Sequence, residues 1–569
     1  MEYEAAVKYL TENNDLYQVE DKVFGDVSYK VLCNIPKCLP DLLEYASPML
    51  SGKTYIVHNK RRISYEQFLI NINKIAHSLI SNFHIQKGDK VAIVMRNYPE
   101  YLMCLMGIIR AGGVVVLLNA WWTEKELLFG FKDSGAKLAF VDSERYQRLK
   151  RVQKDLHLNL ILISPELKPK KNTNFYCFEE ILNEDKPSHS PNLPEVEGSD
   201  EFAIMYSSGS TSFPKGVVLT NIGALNAIFS WKMFIEVHKL MNHKAEIKSE
   251  FEPAILCATP LFHVTASHPT FFLSLALGAK IVLMHKWDPQ IALKLIDQEK
   301  ITRFLGVPTM TADMTFANKS MQLKIPSLQY LGSGGAKRPA AQVSEQAIAF
   351  PNASLASGWG MTETNALGLG CIGHDYIRKP YSTGRLYPPI QQMKIIDQSG
   401  NEVQVGAAGE LCVKSIANMK EYLNNESSTQ ATINGGWLRT GDKARVDGEG
   451  FVTILGRFKE VIIRGGENIS CSEVEEVLYR FSSILEASVF AVPDDRFGEE
   501  VGALLFINPN SNINLQDLKK FLDLKLAKFK HPKYHWISNS PLPRGGTDKI
   551  NKSLIRELCV NKDYFSKLS

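Results

Sequence analysis

Short runs of β-branched and other apolar residues recur along the first half of the chain, with helix-like stretches between them. Such alternation predicts parallel strands connected by helices, in βαβ units that are buried on both faces. The strand-like runs are residues 91–95, 114–118, 138–141, 160–163, 255–258 and 281–284.

The bounds of the helix and the strand in one of these units can be predicted from the sequence. Pro99 is suited to the first turn of a helix, and apolar residues then recur at helical spacing as far as Ile109. Gly112 ends the helix before the run 114–118. The pattern therefore predicts a helix from Pro99 followed by a strand.

The pattern changes from about Tyr387, where shorter apolar segments are separated by glycine-containing turns. We predict an α/β large N-terminal domain, residues 1–458, made of two parallel-type βαβ subdomains and a small β-barrel-like unit. A small, mobile α+β C-terminal domain, residues 459–569, is predicted to follow.

Composition narrows the class of protein. The 569 residues include 44% hydrophobic and 22% charged residues, which is ordinary for a water-soluble globular chain. A formal net charge of +4 is too small to predict nucleic-acid binding. The nine cysteines form no C-x-x-C pair and no signal peptide or membrane span is apparent, so we expect a cytoplasmic location.

Two short motifs are rejected because their context is wrong. The segment 51–54, SGKT, resembles the end of a Walker A loop but follows a helix-like stretch and has Ser47 where a glycine is required. Gly368, Gly370 and Gly373 spell G-x-G-x-x-G, but we predict no helix after Gly373 to receive a pyrophosphate. The histidines form no metal-ligand cluster.

The loop YSSGSTSFPKGV, residues 206–217, has the composition of a polyphosphate site. Its glycines allow close approach of the backbone, its Ser and Thr hydroxyls donate hydrogen bonds, and Lys215 supplies a positive charge. The loop resembles that of the adenylate-forming superfamily, and further blocks match in order. These are SGGAKRP (333–339), GWGMTET (358–364), GEL (409–411), WLRTGD (437–442), GRFKEVIIRGGENIS (456–470) and PRGGTDKI (543–550).

The chain is most similar to the AMP-forming acyl-CoA synthetases, or fatty acid–CoA ligases, of that superfamily, from about Ile63 to the C-terminus. The resemblance implies that ATP, Mg²⁺ and coenzyme A are used. It places Mg²⁺ on Thr211 and Glu363, both of which offer hard oxygen ligands. The nucleotide-binding residues that it implies are Ser207, Ser208, Gly209, Ser210, Thr211, Lys215, Gly335, Ala336, Trp359, Gly360, Thr362, Asp442 and Arg457.

The resemblance also implies a two-step mechanism. Lys549 matches the lysine that bridges the carboxylate and the α-phosphate, and His263 matches a histidine beside the substrate carboxylate. Lys459 matches a hinge that withdraws Lys549 for the second step. The loop that would then guide the pantetheine arm of coenzyme A contains Gly465, Gly466 and Glu467.

The sequence departs from the superfamily pattern at two positions. Ser212 and Asp548 stand where glycine is usual, and a carboxylate at Asp548 is expected to weaken the field of Lys549. Asp tolerates a left-handed backbone better than most residues, so we expect the loop to survive.

The acid and the acceptor remain open at this stage. Val307 and Ser357 are predicted to line an acyl pocket. The predicted substrate is a medium- or long-chain fatty acid, with aryl or branched acids as the second choice. A fatty acyl-AMP ligase, a carrier-loading enzyme and a nucleotide-binding regulator without catalysis are the alternatives, and a luciferase-like oxygenase has no support. A homodimer and peripheral membrane contact are left open.

Overall fold

A computed structural model describes residues 1–163, 174–183, 192–207, 214–242, 250–336, 338–458, 460–465, 467–508, 511, 514–546, 548–562 and 564–568. Two mainly parallel sheets form the centre of the large domain. The first sheet has, in order across it, the strands Glu421–Tyr422, Lys215–Thr220, Glu201–Ser207, Val114–Leu117, Lys90–Val94, Leu138–Asp142, Asn159–Ile163 and Phe175–Cys177. The second sheet has Arg385–Leu386, Gly368–Ile372, Ser354–Gly360, Tyr330–Ser333, Arg303–Gly306, Ala254–Cys257, Lys280–Leu283, Thr54–His58 and Arg61–Ser64.

Helices cover both sheets, and their apolar faces form the core between them. The helix Pro99–Arg110 is buried along almost its whole length, as its apolar spacing predicts. The helices of the large domain are Tyr3–Asn13, Leu39–Leu50, Tyr65–Ser81, Pro99–Arg110, Glu124–Ser134, Ser143–Leu156, Phe178–Asn183, Asn221–Met241, Val264–Ala266, Leu273–Ala276, Pro289–Gln298, Pro308–Met321, Ala340–Ala349, His374–Arg378 and Glu426–Thr432. A π-helical turn, Ser267–Phe272, and the 3₁₀ turns Asp15–Tyr17 and Thr362–Thr364 complete them.

The small antiparallel unit is also present. A separate hairpin, Val19–Phe24 with Val27–Leu32, lies near the N-terminus. The unit itself is a sheet of the strands Gln392–Ile396, Gly409–Lys414, Trp437–Val446, Ile433–Asn434 and Val452–Arg457.

The chain after Arg457 forms an α+β unit with its own core. Two buried clusters consist only of residues from Ile462 to Cys559. Its strands are Val461–Arg464, Glu467–Ser470, Ile484–Asp494, Gly498–Ile507, Tyr534–Ser538 and Ser566–Leu568, and its helices are Cys471–Leu478, Leu515–Asp523, the 3₁₀ turn Lys528–Lys530 and Lys552–Val560. The boundary at residues 458 and 459 stays a prediction.

The predicted fold class is confirmed, and each strand-like run lies within one residue of an observed strand. The prediction that no helix follows Gly373 is wrong. Residues His374–Arg378 form a short helix because Tyr376 is buried beneath it. In the part of the chain that the structure describes, no helix is both long and apolar enough to cross a membrane.

Candidate active site

The predicted polyphosphate loop connects two antiparallel strands of the first sheet. Ser207 ends one strand, Lys215 begins the next, and the two residues are register partners. The loop is therefore anchored at both ends by backbone pairing. The predicted or substituted loop residues that lie outside the described part of the chain are Ser208, Gly209, Ser210, Thr211 and Ser212.

Lys215 and Glu363 are connected through Tyr422. Lys215 Nζ lies 3.0 Å from Ser428 Oγ and 4.6 Å from the centre of the Tyr422 ring. The Tyr422 hydroxyl donates a hydrogen bond to Glu363 Oε1 at 2.9 Å. Glu363 is buried in the turn Thr362–Thr364. The Lys215 ammonium group and the Glu363 carboxylate, which are far apart in sequence, therefore both contact Tyr422 on one side of the site.

Asp442 is the centre of a second polar group. Trp359 Nε1 donates to Asp442 Oδ2 at 2.9 Å, and Arg457 Nε lies 3.3 Å from Asp442 Oδ1. Burial raises the pKa of the Asp442 carboxyl, whereas Arg457 and the bond from Trp359 lower it. Both carboxylate oxygens therefore have a donor before any ribose binds.

Lys549 reaches into the large domain and contacts Gly335. A Cβ atom built on Gly335 would lie 2.8 Å from Lys549 Cε and 3.2 Å from Lys549 Nζ, and 3.8 Å from Val307 Cγ1. Gly335 has φ +77°, a conformation that favours glycine. Burial, aided by the nearby charge of Arg457, lowers the pKa of Lys549 to about 8. The next residue, Ala336, is exposed.

His263 lies close enough to Lys549 for the positive charge of the lysine to affect the pKa of the imidazole. Burial, with a smaller contribution from Lys549, lowers the pKa of His263 to about 3, so the imidazole is neutral at physiological pH. Its Nδ1 accepts a hydrogen bond from the Thr265 backbone N–H at 3.3 Å. The proton therefore resides on Nε2, which is available as a donor.

The strand Ser354–Gly360 positions the remaining predicted residues. Ser357 is the register partner of Ser333, and Gly360 ends the strand. A Cβ atom on Gly360 would lie 2.1 Å from the Ala366 carbonyl oxygen, so only glycine fits there. The strand thus places Ser357 opposite Ser333 and Trp359 beside Asp442, and the acyl-pocket role of Ser357 stays a prediction.

Asp548 has the left-handed backbone that its position requires, with φ +61°. Its carboxylate faces Arg544 at 3.7 Å, and its carbonyl oxygen accepts a hydrogen bond from the Thr309 hydroxyl of the large domain at 3.4 Å. The groups that shift the pKa of Lys549 do not include Asp548. The expected weakening of the Lys549 field is therefore not seen.

We expect Asp548→Gly to change the rate of adenylation only slightly, by less than about fivefold, because the carboxylate faces Arg544 and partly exposed pairs contribute about 1 kcal/mol or less. The measurement is acid-dependent exchange of pyrophosphate into ATP by both proteins. A gain of well over tenfold in the variant would show that the carboxylate does oppose Lys549.

The predicted coenzyme A residues occupy the tip of a hairpin. Gly465 follows the strand Val461–Arg464 and Glu467 begins the next strand, and both residues are exposed. Among the described residues, no hydrogen bond or ion pair connects this tip to Lys549. Lys459 and Gly466 lie outside the described residues.

Sequence patterns missed two residues that contact the predicted site residues. Tyr422 lies between two recognised motifs, and only the structure reveals its contacts with Glu363 and Lys215. Trp121 was also missed, although a Cβ atom on Gly546 in the Lys549 loop would lie 3.0 Å from its ring. No local pattern reveals either contact, because the partners are far apart in sequence.

Comparison with known proteins shows that the chain matches two protein-family models. The model of the AMP-binding enzymes matches residues 44–423, and that of the AMP-binding enzyme C-terminal domain matches residues 473–549. The chain belongs to the AMP-binding enzyme family. It is 28% identical to the long-chain-fatty-acid–CoA ligase FadD13 of Mycobacterium tuberculosis, over 87% of this chain and 93% of that protein.

Two further relatives are informative. The feruloyl-CoA synthase of an Amycolatopsis species is 30% identical, over 88% of this chain and 95% of its own length. The anthranilate CoA ligase AuaEII, solved with anthranoyl-AMP, has a TM-score of 0.81 at 22% identity over 92% of this chain and 98% of that one, and shows the shared fold. The predictions of an AMP-forming acid–CoA ligase and of ATP, Mg²⁺ and coenzyme A are confirmed.

Proposed function

We propose that this ligase activates a fatty acid through an acyl-AMP intermediate, with Lys549 as the catalytic cation of the first step. The contact between Lys549 and Gly335 carries the proposal, because it brings the lysine of the small domain to the large-domain residues predicted to bind nucleotide. Asp442 and Trp359 are proposed to hold the ribose and the adenine.

In the first step, a carboxylate oxygen attacks the α-phosphorus of ATP and pyrophosphate leaves. Two anions about 4 Å apart repel by about 4 kcal/mol at an effective dielectric of about 20. Lys549 would stand between them and stabilise the charge that develops at the transition state. His263, neutral and protonated on Nε2, would orient the incoming carboxylate.

Glu363 fits the role of Mg²⁺ ligand. Its carboxylate is buried, and Oε1 accepts a hydrogen bond from the Tyr422 hydroxyl. Among the described residues, no group donates a hydrogen bond to Oε2. Mg²⁺ prefers such hard oxygen ligands together with phosphates, and when bound it neutralises phosphate charge. Lys215, on the same side of the site, would add positive charge at the polyphosphate.

In the second step, the sulfur of coenzyme A attacks the acyl carbon and AMP leaves. Lys549 lies against Gly335 in the observed arrangement, so the proposal requires the small domain to move before the thiol enters. We propose rotation at Lys459, which would bring the hairpin tip at Gly465–Glu467 to the site.

A fatty acid is proposed because the candidate acyl pocket is largely apolar near the reaction centre. Val307 is buried beside Gly335, and Met310 and Met314 follow it on the helix Pro308–Met321. The name of the relative FadD13 supports a long aliphatic chain, whereas that of the feruloyl-CoA synthase points to an aryl acid. Apolar tails of either kind gain stability from burial.

The low pKa of Lys549 predicts the pH profile of adenylation. The ammonium form is active, so kcat/KM should fall as pH rises through about 8, below the ordinary lysine pKa of 10.5. In Arg457→Gln, loss of the neighbouring positive charge should move this fall to higher pH. A profile that stays flat up to 10.5 would contradict the proposed role.

The test is release of AMP from ATP and Mg²⁺ with fatty, aryl and branched acids, with and without coenzyme A. Coenzyme A-dependent turnover that is fastest with one fatty acid supports the proposal. Faster turnover with an aryl acid overturns the acyl assignment alone. Adenylation that proceeds only to a carrier protein would indicate a carrier-loading enzyme, and absence of adenylation with every acid would indicate a regulator.

A further inference from the structure

Arg338 is a buried cation that has no carboxylate partner among the described residues. Its side chain is 3% exposed, and within the described residues none of its three guanidinium nitrogens donates a hydrogen bond. Its neighbour is Tyr376, whose ring centre lies 5.5 Å from Cζ and whose hydroxyl partly offsets the lowering of the Arg338 pKa by burial. Buried charges are almost always paired, because removing a charge from water without a partner is very costly.

Other buried polar groups in the same region also lack partners in the described structure. Gln342 and Gln346 lie one turn apart on the helix Ala340–Ala349 that follows Arg338, and both Oε1 atoms are unpartnered. The Ser333 hydroxyl, at the end of the neighbouring strand, is unpartnered as well. Unpartnered buried groups are uncommon, so a cluster of them indicates a missing polar occupant.

This cluster lies next to the proposed reaction centre. Ser333 precedes Gly335 by two residues and is the register partner of Ser357 on the adjacent strand. Arg338 follows Gly335 by three residues, so their Cα atoms are separated by at most about 11 Å. An acid whose reacting carboxylate lies at Lys549 and Gly335 could therefore extend to Arg338.

We infer that Arg338, with Ser333 and Gln342, binds a second carboxylate at the far end of the acid, so that the preferred substrates are aliphatic dicarboxylic acids. The inference rests on the proposed function and refines its substrate class. A carboxylate neutralises the guanidinium and accepts two parallel hydrogen bonds from it, which water cannot match. The Ser333 hydroxyl and the Nε2 nitrogen of Gln342, not its unpartnered Oε1, would donate to the remaining oxygen lone pairs.

Paired acids of equal length provide the test: suberic against octanoic acid, and sebacic against decanoic acid. The readout is kcat/KM for coenzyme A-dependent AMP release by the wild-type chain and by Arg338→Leu. We expect the wild type to favour the dicarboxylic acid by about tenfold or more, and the variant to lose about 10²-fold on that acid while retaining the monocarboxylic acid.

Arg303→Leu is the matched control, because it removes another guanidinium stacked on a tyrosine, 3.5 Å from the Tyr330 ring centre. It should keep the wild-type ratio between the two acids. If Arg338→Leu fails to fold, Arg338→Lys and Gln342→Leu must each reduce the ratio. An unchanged ratio in the Arg338 and Gln342 variants, or a wild type that prefers the monocarboxylic acids, overturns this inference but leaves the ligase proposal standing. Inactivity of the wild type with every acid overturns the proposed function itself.

Discussion

Lys549→Ala should reduce the rate of acyl-AMP formation by about 10²–10³-fold, the usual effect of removing one group that stabilises charge at the transition state. The reason is the position of Lys549, whose Cε and Nζ lie against Gly335 in the site of the large domain. The measurement is acid-dependent pyrophosphate exchange into ATP. Thioester formation from chemically prepared acyl-AMP should be retained, since the proposed domain movement withdraws Lys549 before that step.

Lys533→Ala is a suitable control for this experiment. Lys533 is also in the small domain but is half-exposed and pairs with Asp494 at 2.7 Å. Its loss should leave both half-reactions close to the wild-type rates. Equal losses in the two half-reactions of Lys549→Ala would contradict the proposed withdrawal of the lysine.

Gly335→Ala should lower adenylation by roughly 10–10²-fold, because displacing a catalytic group by about 1 Å is enough for such an effect. Its loss of stability should be confined to the backbone cost of about 1–2 kcal/mol for an alanine in a left-handed conformation. The added Cβ would lie 2.8 Å from Lys549 Cε. That atom is near the end of a flexible side chain, so the lysine moves and the backbone stays. Adenylation rate and thermal unfolding temperature are the two measurements.

Gly135→Ala separates displacement of Lys549 from backbone strain. Gly135 ends a helix with a left-handed backbone, φ +71°, close to the +77° of Gly335, but a Cβ atom there meets nothing within 4 Å. Both variants should lose about 1–2 kcal/mol of stability from the left-handed backbone. Only Gly335→Ala should lose adenylation activity. Equal losses of activity in the two variants would contradict the claim that the contact between Gly335 and Lys549 positions the lysine.

The regular elements of the large domain could be predicted because local patterns determine them. Pro99 begins a helix whose apolar spacing continues through its length, and the β-branched runs became strands within one residue of their predicted bounds. The short helix His374–Arg378 was not predicted, because its stability comes from burial of Tyr376 against the second sheet and not from its own pattern.

Candidate residues of the site could be predicted only where they lie within a recognised sequence motif. Lys549, Asp442 and Glu363 were proposed from their blocks, and the structure shows their contacts with Gly335, Trp359 and Tyr422, respectively. The contacts of Tyr422, and the lack of a carboxylate beside Arg338 among the described residues, could not be found in this way, because they depend on which distant segments meet in space. The orientation of Asp548 toward Arg544 likewise follows from tertiary packing alone.

The most direct test of the central claim is a single-turnover reaction of the wild-type chain with ATP, Mg²⁺ and octanoic or suberic acid in the absence of coenzyme A. The account predicts that acyl-AMP accumulates on the enzyme in an amount close to that of the active sites, and that added coenzyme A converts it to acyl-CoA and AMP. Formation of acyl-CoA without any acyl-AMP beforehand would contradict it.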